Sequence, residues 1–202
     1  MDLSLKNNDR LSPTEAKEYS NKPVFIIGYM ASGKTTFGAA LANRLNRPFI
    51  DLDLFIENKE DSSVSQIFAR AGEDRFRCIE KDALHEVADI SNAVIACGGG
   101  TPCFFDNMDF INSKGISVFL EASPDVLLER LIEANSSRPL VKNKAPHEIK
   151  GIIHSQLEKR LPFYKKAHIY WNGDFLDTEQ QIQLNVESFI QRYPFVFSDS
   201  FV

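Results

Sequence analysis

An eight-residue run near the N-terminus has the residue types of a phosphate-binding loop. Its sequence, GYMASGKT at residues 28–35, matches the pattern G-x-x-x-x-G-K-[ST]. Glycines let backbone N–H groups turn inward around a phosphate, and the N-terminus of the following helix adds partial positive charge. Lys34 would place its ammonium group on the β- and γ-phosphates, and the Thr35 hydroxyl would bind Mg²⁺. We therefore predict a nucleotide-phosphate site here, against the alternative of a chance glycine-rich turn.

Two carboxylates follow the next apolar run. Asp51 and Asp53 come directly after Phe49 and Ile50, at the edge where ligands bind in open α/β sheets. In an extended segment, side chains two residues apart point to the same side. One carboxylate would then hold Mg²⁺ through water, while the other accepts a proton from an acceptor hydroxyl. The alternative is a solvated strand end, or a helix N-cap for Leu54 onward.

Three consecutive glycines and three arginines are candidates for binding an acceptor. The run GGG at 98–100 follows an apolar run, which predicts an exposed backbone that a ligand approaches closely rather than merely a tight loop. A single arginine is more typical of a solvated surface. Guanidinium groups pair bidentately with carboxylate or phosphate, so several arginines in one pocket would specify an anionic acceptor. The arginines considered are Arg77, Arg138 and Arg160.

Alternating elements must position these residues. Apolar runs predict five strands, at 24–27, 49–50, 93–97, 116–120 and 168–171. Helical periodicity and capping residues predict helices after the P-loop, from Ser63 to a stop at Gly72, along 76–90, after Ser123, around 149–157 and after Thr178. Near-continuous apolar strands between helices predict one α/β domain whose parallel sheet is covered on both faces.

The chain divides into three segments by composition. We predict a polar N-terminal leader at 1–22, a P-loop domain at 23–193 and a C-terminal tail at 194–202. Within the domain, the segment at about 135–146 is polar and non-periodic, and we predict that it forms a mobile lid.

Composition excludes several classes of protein. The 202 residues carry a net charge of −5, which disfavours nonspecific binding to nucleic acid or to an anionic membrane. Three cysteines without a C-x-x-C spacing predict neither a disulfide framework nor a zinc site. No apolar run approaches the ~20 residues that span a bilayer, and the N-terminus lacks the apolar region of a signal peptide. We therefore expect a cytoplasmic protein that binds neither nucleic acid nor membrane.

In this order, the motifs resemble those of the shikimate kinase family, small P-loop kinases of aromatic amino-acid biosynthesis. Beyond the P-loop they comprise DLD at 51–53, residues 68–80 (similar to F-x-x-x-G-E-x-x-F-R-x-x-E), GGG at 98–100, RPL at 138–140, and Arg160 with Tyr164. The resemblance covers residues 24 to about 171. It implies the fold of nucleoside monophosphate kinases: a three-layer α/β/α P-loop NTPase fold, with a five-stranded parallel sheet of order 2-3-1-4-5 and a lid.

The resemblance also implies an activity, ATP-dependent phosphorylation of the shikimate 3-hydroxyl to give shikimate 3-phosphate, with Mg²⁺ as cofactor. Asp53 would bind the acceptor hydroxyls and act as base, and Asp51 would lie in the magnesium shell, through water, beside Thr35. Arg77 and Arg160 would hold the shikimate carboxylate. The implied catalytic residues are Lys34, Asp53 and Arg138.

Two binding sets follow from the same resemblance. Within the ATP set, Arg130 would lie against adenine and Arg138 would close over the phosphates. The ATP set comprises Ala31, Ser32, Gly33, Lys34, Thr35, Thr36, Arg130 and Arg138. The shikimate set comprises Asp53, Arg77, Gly98, Gly99, Gly100 and Arg160.

The chain departs from the family pattern at three points, one of which is Cys97, before the triple glycine, where a small or hydroxylated residue is more usual. Ala31 stands where the family often has glycine, which predicts that this position does not need a positive φ. The loop at 172–174 should lie near adenine but offers no arginine that matches the family.

Two other functions remain as alternatives. A different small-molecule P-loop kinase, for gluconate or a nucleoside monophosphate, would share the P-loop and lid but not F-R-x-x-E together with GGG. A catalytically silent nucleotide-binding module would be indicated by loss of Lys34, Asp53 or Arg77, and all three are present. We expect ATP and shikimate as partners of a monomer.

Overall fold

A parallel sheet forms the centre of the domain. The computed structural model describes residues 21–134 and 144–196. Its five strands are β1 (Val24–Ile27), β2 (Phe49–Asp51), β3 (Val94–Ala96), β4 (Ile116–Glu121) and β5 (Ile169–Asn172). They pair in the order β2-β3-β1-β4-β5, and every pair is parallel. The predicted fold class and strand order are therefore confirmed.

Several predicted features lie wholly or partly outside the described residues. These are the leader up to residue 20, Arg138, the lid at 135–143 and the tail from 197 onward. Where the predicted lid does overlap the described part, Pro146 already begins a helix. No helix within 21–134 or 144–196 is long and apolar enough to cross a membrane.

Seven α-helices cover the sheet in the described ranges. They are α1 (Lys34–Leu45), α2 (Leu52–Glu60), α3 (Val64–Val87), α4 (Asn107–Lys114), α5 (Pro124–Glu133), α6 (Pro146–Tyr164) and α7 (Glu179–Arg192), with short 3₁₀ helices at Thr101–Cys103 and Pro194–Val196. The predicted caps are present, since the side chains of Ser63, Ser123 and Thr178 each accept a backbone N–H of the helix that follows. Helix α4 was not predicted, and α2 was considered only as the alternative in which an aspartate caps a helix from Leu54 onward, because neither helix has a strong apolar stripe.

The predicted helix stop at Gly72 is confirmed. We predicted that one helix ends there and that another follows. Gly72 adopts a non-helical backbone (φ 79°, ψ 174°), so α3 consists of two helical parts joined by a kink at this residue. Glycine accepts this conformation without steric cost.

Alternate side chains of the central strand pack into two separate cores. Phe25 and Ile27 belong to the core on one face of the sheet, and Val24 and Ile26 to the core on the other. All four are at most 1% exposed. A strand buried on both faces cannot move without opening both cores, so β1 fixes the loop at its carboxyl end.

Candidate active site

The P-loop connects the buried end of β1 to the first turn of α1. Gly33 precedes the helix with φ 94°, a left-handed conformation that glycine adopts at little cost. Lys34 follows at the first helical position, and its Nζ donates to the Tyr29 carbonyl at 2.8 Å. The loop therefore folds back on itself, with its lysine close to the N-terminal end of the helix dipole, as binding of a phosphate requires.

Ala31 is in a conformation that its sequence position did not predict. Its φ is 62°, in the left-handed region, whereas alanine in place of glycine predicted an ordinary negative φ. The expectation was wrong because the tight return of the loop, rather than the intrinsic preference of the residue, sets this dihedral. An alanine side chain in this region costs about 1–2 kcal/mol, so the loop carries a small strain that glycine would relieve.

Asp51 joins the P-loop to the second strand. Its Oδ2 accepts from the Thr35 hydroxyl at 2.7 Å, and its Oδ1 accepts from the backbone N–H groups of Asp53 and Leu54. Asp51 is thus the N-cap of α2, the alternative considered for this carboxylate. The prediction that Asp51 and Asp53 share one side of an extended segment is wrong, because the strand ends at Asp51 and Asp53 already lies in the first helical turn.

A cavity of about 320 Å³ lies over the helix end of the P-loop. Arg130 closes one side of it, donating to the carbonyls of Gly173 and Asp174 and to the Asp177 carboxylate at 2.8–3.1 Å. The loop after β5 contains no arginine of its own, and Arg130 of α5 holds it in place. The cavity is lined by Ala31, Gly33, Lys34, Thr35, Thr36, Arg130, Ala134, Leu176 and Asp177. Ser32, also predicted to bind ATP, is fully buried and is not among these lining residues.

A second cavity, of about 310 Å³, opens beside Met30 of the same loop. It contains all six residues predicted to bind the acceptor, contributed by α2, α3, α6 and the loop after β3. Charged groups and apolar side chains share its wall. The lining residues are Met30, Asp53, Glu57, Val64, Ser65, Phe68, Phe76, Arg77, Glu80, Gly98, Gly99, Gly100 and Arg160.

Arg77 is held in place by two carboxylates of its own helix. It is only 8% exposed, and its Nη1 donates to Glu80 at 2.8 Å, while Nε and Nη2 donate to Glu73 at 3.3 and 2.9 Å. Glu80, 1% exposed, also accepts from the Thr101 hydroxyl at 2.6 Å. A guanidinium has five N–H groups, so one on each Nη is left for a further acceptor.

The triple glycine lies directly against this guanidinium. A Cβ at Gly100 would lie 2.7–2.9 Å from Nη1, Nη2 and Cζ of Arg77, closer than real Cβ atoms approach. The close approach, rather than an unusual φ, therefore favours glycine here, since Gly100 has φ −91° and a Cβ would displace the Arg77 guanidinium. This supports the interpretation of the run as a surface of close contact.

Arg160 and Tyr164 lie beside Gly99, the middle residue of the triple glycine. The Tyr164 hydroxyl donates to the Gly99 carbonyl at 2.5 Å, and burial raises the pKa of this phenol, so it stays protonated as a donor. The Arg160 Cζ lies 5.4 Å from the centre of the Tyr29 ring. Within residues 21–134 and 144–196 no carboxylate lies within 4.0 Å of its guanidinium. Its charge therefore faces the cavity without an ion-pair partner in that part of the chain.

Three residues of the site had no predicted role. Glu80 was detectable, because a carboxylate three residues after an arginine on a helix can pair with it. Thr101 contacts Glu80 across 21 residues of chain, for which no local pattern exists. Tyr164 was part of the family motif with Arg160, but its contact with Gly99 spans 65 residues and was not predicted.

Known proteins resemble this chain over most of its length. The shikimate kinase family profile matches residues 30–192. Shikimate kinase of Phocaeicola vulgatus is 48% identical over 165 residues, which cover 82% of this chain and 94% of that protein.

Two solved structures give the same result. The crystal structure of shikimate kinase from Bacteroides thetaiotaomicron has a TM-score of 0.83 at 44% identity and covers 86% of this chain and 98% of that one. That of the Acinetobacter baumannii enzyme in complex with shikimate has a TM-score of 0.74 at 28% identity and covers 93% and 99%. The chain therefore belongs to the shikimate kinase family, ATP-dependent kinases that phosphorylate shikimate.

Proposed function

We propose that this chain transfers the γ-phosphate of ATP to the 3-hydroxyl of shikimate, with ATP over the P-loop and shikimate in the cavity beside Met30. The observation that carries the proposal is the polarity of that cavity. Asp53, a potential proton acceptor, approaches Gly98 at one end of the triple glycine, and Arg77 contacts Gly100 at the other. Shikimate has hydroxyl groups on one side of its ring and a carboxylate on the other, so its two ends match.

The nucleotide end relies on fixed positive groups. The backbone N–H groups of the P-loop, the N-terminus of α1 and Lys34 would surround the β- and γ-phosphates. Phosphoryl transfer requires little covalent chemistry from the protein, so these groups act by positioning the phosphate and by stabilising its charge. Arg130 would bind the adenine side of ATP, because it already orders the loop at 173–177. Arg138 lies outside the described residues and remains a prediction from the resemblance.

The acceptor end supplies a base and an anchor. Asp53 is exposed to the cavity, where its carboxylate would accept the proton of the attacking hydroxyl. The two remaining N–H groups of Arg77 and the guanidinium of Arg160 would bind the shikimate carboxylate. Phe68 and Phe76 provide an apolar wall for the ring carbons.

The residues beside the P-loop fit a magnesium ion. Thr35 and Asp51 present a hydroxyl and a carboxylate oxygen 2.7 Å apart at the nucleotide cavity, and Mg²⁺ prefers one or two such oxygen ligands together with phosphate and water. Bound there, Mg²⁺ would neutralise charge on the β- and γ-phosphates. Thr35 would ligate it directly, and Asp51, oriented by its N-cap bonds, through water.

The direct test is a coupled ADP-release assay with shikimate, together with mass spectrometry of the product. We expect shikimate-dependent turnover far above the background ATPase and a product heavier by one phosphate. Gluconate and a nucleoside monophosphate serve as comparison acceptors. Turnover with either of these but not with shikimate, or no turnover with any acceptor, would refute the proposal.

A second measurement tests the magnesium site. EDTA should abolish turnover, and Mg²⁺ should restore it. Thr35→Val should raise the Mg²⁺ concentration needed for half-maximal activity, because it removes the hydroxyl and keeps the shape. Thr35→Ser, the matched control, should behave like the wild type.

A further inference from the structure

Phe104 presents the face of its ring to the guanidinium of Arg77, the arginine proposed to bind the substrate. The Cζ of Arg77 lies 4.0 Å from the centre of the Phe104 ring, well within the roughly 6 Å over which a cation and a ring attract each other. We propose that Phe104 is a positioning residue for the acceptor: its ring fixes the plane of the Arg77 guanidinium so that the free N–H groups meet the shikimate carboxylate. This inference rests on the role proposed above for Arg77.

Phe104 differs from the other rings near Arg77 in where it comes from. Phe76 and Phe68 lie farther from the guanidinium carbon, at 5.2 and 5.7 Å, and both belong to α3, the helix of Arg77 itself. Phe104 instead follows the triple glycine and the 3₁₀ helix. Its ring therefore couples the orientation of the arginine to the loop that forms the floor of the acceptor cavity.

The backbone around Phe104 is anchored on both sides. Before it, the Cys103 N–H donates to the Gly100 carbonyl at 2.8 Å; after it, the Asn107 N–H donates to the Phe104 carbonyl at 3.2 Å. The Asn107 side chain also donates to the Thr101 carbonyl at 2.9 Å. A ring on so short and so fully bonded a segment is a fixed surface, against which a flexible side chain can be oriented.

The same segment is tied to the ion pair of Arg77. The Thr101 hydroxyl donates to Glu80, and Glu80 accepts from Arg77. The contacts therefore form a closed cycle: Arg77 binds Glu80, Glu80 binds Thr101, and Phe104 of the same short segment contacts Arg77. Displacement of either side would break a buried hydrogen bond to a charged group, which is costly in a site that excludes water.

The ring and the carboxylates restrain different motions. Glu73 and Glu80 bind the edge of the guanidinium, and edge contacts alone leave it able to tilt. A ring whose centre lies 4.0 Å from Cζ restrains that tilt and accepts none of the hydrogen bonds of the N–H groups, so the two remaining donors stay available. An aliphatic side chain of similar size would fill the space but lacks the negative π-face that attracts the cation.

The test compares Phe104→Leu and Phe104→Tyr with a matched control, Phe105→Leu. Phe105 is the next residue, is 57% exposed, faces Lys81 at 5.3 Å and does not line the acceptor cavity. We expect Phe104→Leu to raise the KM for shikimate about fivefold to thirtyfold, the range of a partly desolvated cation–π contact. The KM for ATP and kcat should change less than about twofold. Phe104→Tyr, which keeps the ring, and Phe105→Leu should both retain the KM of the wild type.

Each outcome has a defined consequence. A shikimate KM unchanged in Phe104→Leu, or raised equally in Phe104→Tyr, would overturn the inference while leaving the proposed function intact. No turnover of shikimate by the wild type would overturn the proposed function and this inference with it. Thermal unfolding verifies that each variant folds, and Phe104→Met provides a second non-aromatic replacement if the leucine variant does not. A purely structural role predicts a lowered melting temperature with an unchanged ratio of the two KM values.

Discussion

Substitution of Gly100 by alanine tests the proposed anchoring of the acceptor without removing any charged group. The backbone of Gly100, at φ −91° and ψ −23°, is one that alanine adopts without strain. The only change is the added methyl group, which would lie 2.7–2.9 Å from the guanidinium atoms of Arg77. Since ordinary contact begins near 3.4 Å, the guanidinium must retreat by about 0.6 Å.

That retreat has a calculable consequence. A retreat of that size directed away from Glu80 would stretch the Arg77–Glu80 hydrogen bond from 2.8 Å toward about 3.4 Å, beyond the ~3.2 Å limit of a good N–H···O bond. Loss of a hydrogen bond to a charged group costs about 1.5–3 kcal/mol. If this cost appears in acceptor binding, the KM for shikimate rises roughly tenfold to a hundredfold, while the KM for ATP stays unchanged.

Steady-state kinetics with each substrate varied in turn measures this directly. Gly151→Ala is the matched control, because Gly151 lies within α6 and a Cβ there meets nothing within 4 Å. The control should keep wild-type kinetics and gain about 0.5–1 kcal/mol of stability from the helix preference of alanine. A Gly100→Ala enzyme whose shikimate KM lies within twofold of the wild type would refute the reasoning about close approach.

Three further predictions concern single residues. Asp53→Asn should reduce kcat severely while leaving the Kd for ATP nearly unchanged, and a comparable loss of ATP affinity measured by calorimetry would mean that its role is misassigned. Arg77→Ala should raise the KM for shikimate far more than that for ATP, and equal effects would argue against a carboxylate contact. Burial raises the pKa of the Cys103 thiol to about 11, so about one in a thousand molecules carries the thiolate at pH 8. A disulfide reagent that reports free thiols should therefore react quickly with the exposed Cys78, and slowly with Cys103 until the pH approaches 11. If both thiols reacted quickly at pH 8, this prediction would be contradicted.

Local patterns were sufficient for much of the fold. The strand order agreed with the resemblance, and the three predicted N-caps formed, because capping depends on residues within one turn of each other. Prediction failed where a neighbouring element overrides a local preference. Asp51 ends its strand and begins a helix because its two oxygens bind the α2 backbone and Thr35, and Ala31 accepts a positive φ because the P-loop must turn there.

The sequence by itself determined the chemistry that this protein has available. Residue types alone were sufficient to recognise four features, and the order of these features along the chain predicted the family. They are the P-loop pattern, the two aspartates, the triple glycine and the arginines. Only the tertiary structure decided which groups face one another. Arg77 on α3, Gly100 after β3 and Phe104 beyond the 3₁₀ helix meet because parallel strands bring their carboxyl ends to one edge of the sheet. The contact of Arg77 with Phe104 spans 27 residues of chain, and no periodicity encodes it, since packing alone sets that distance.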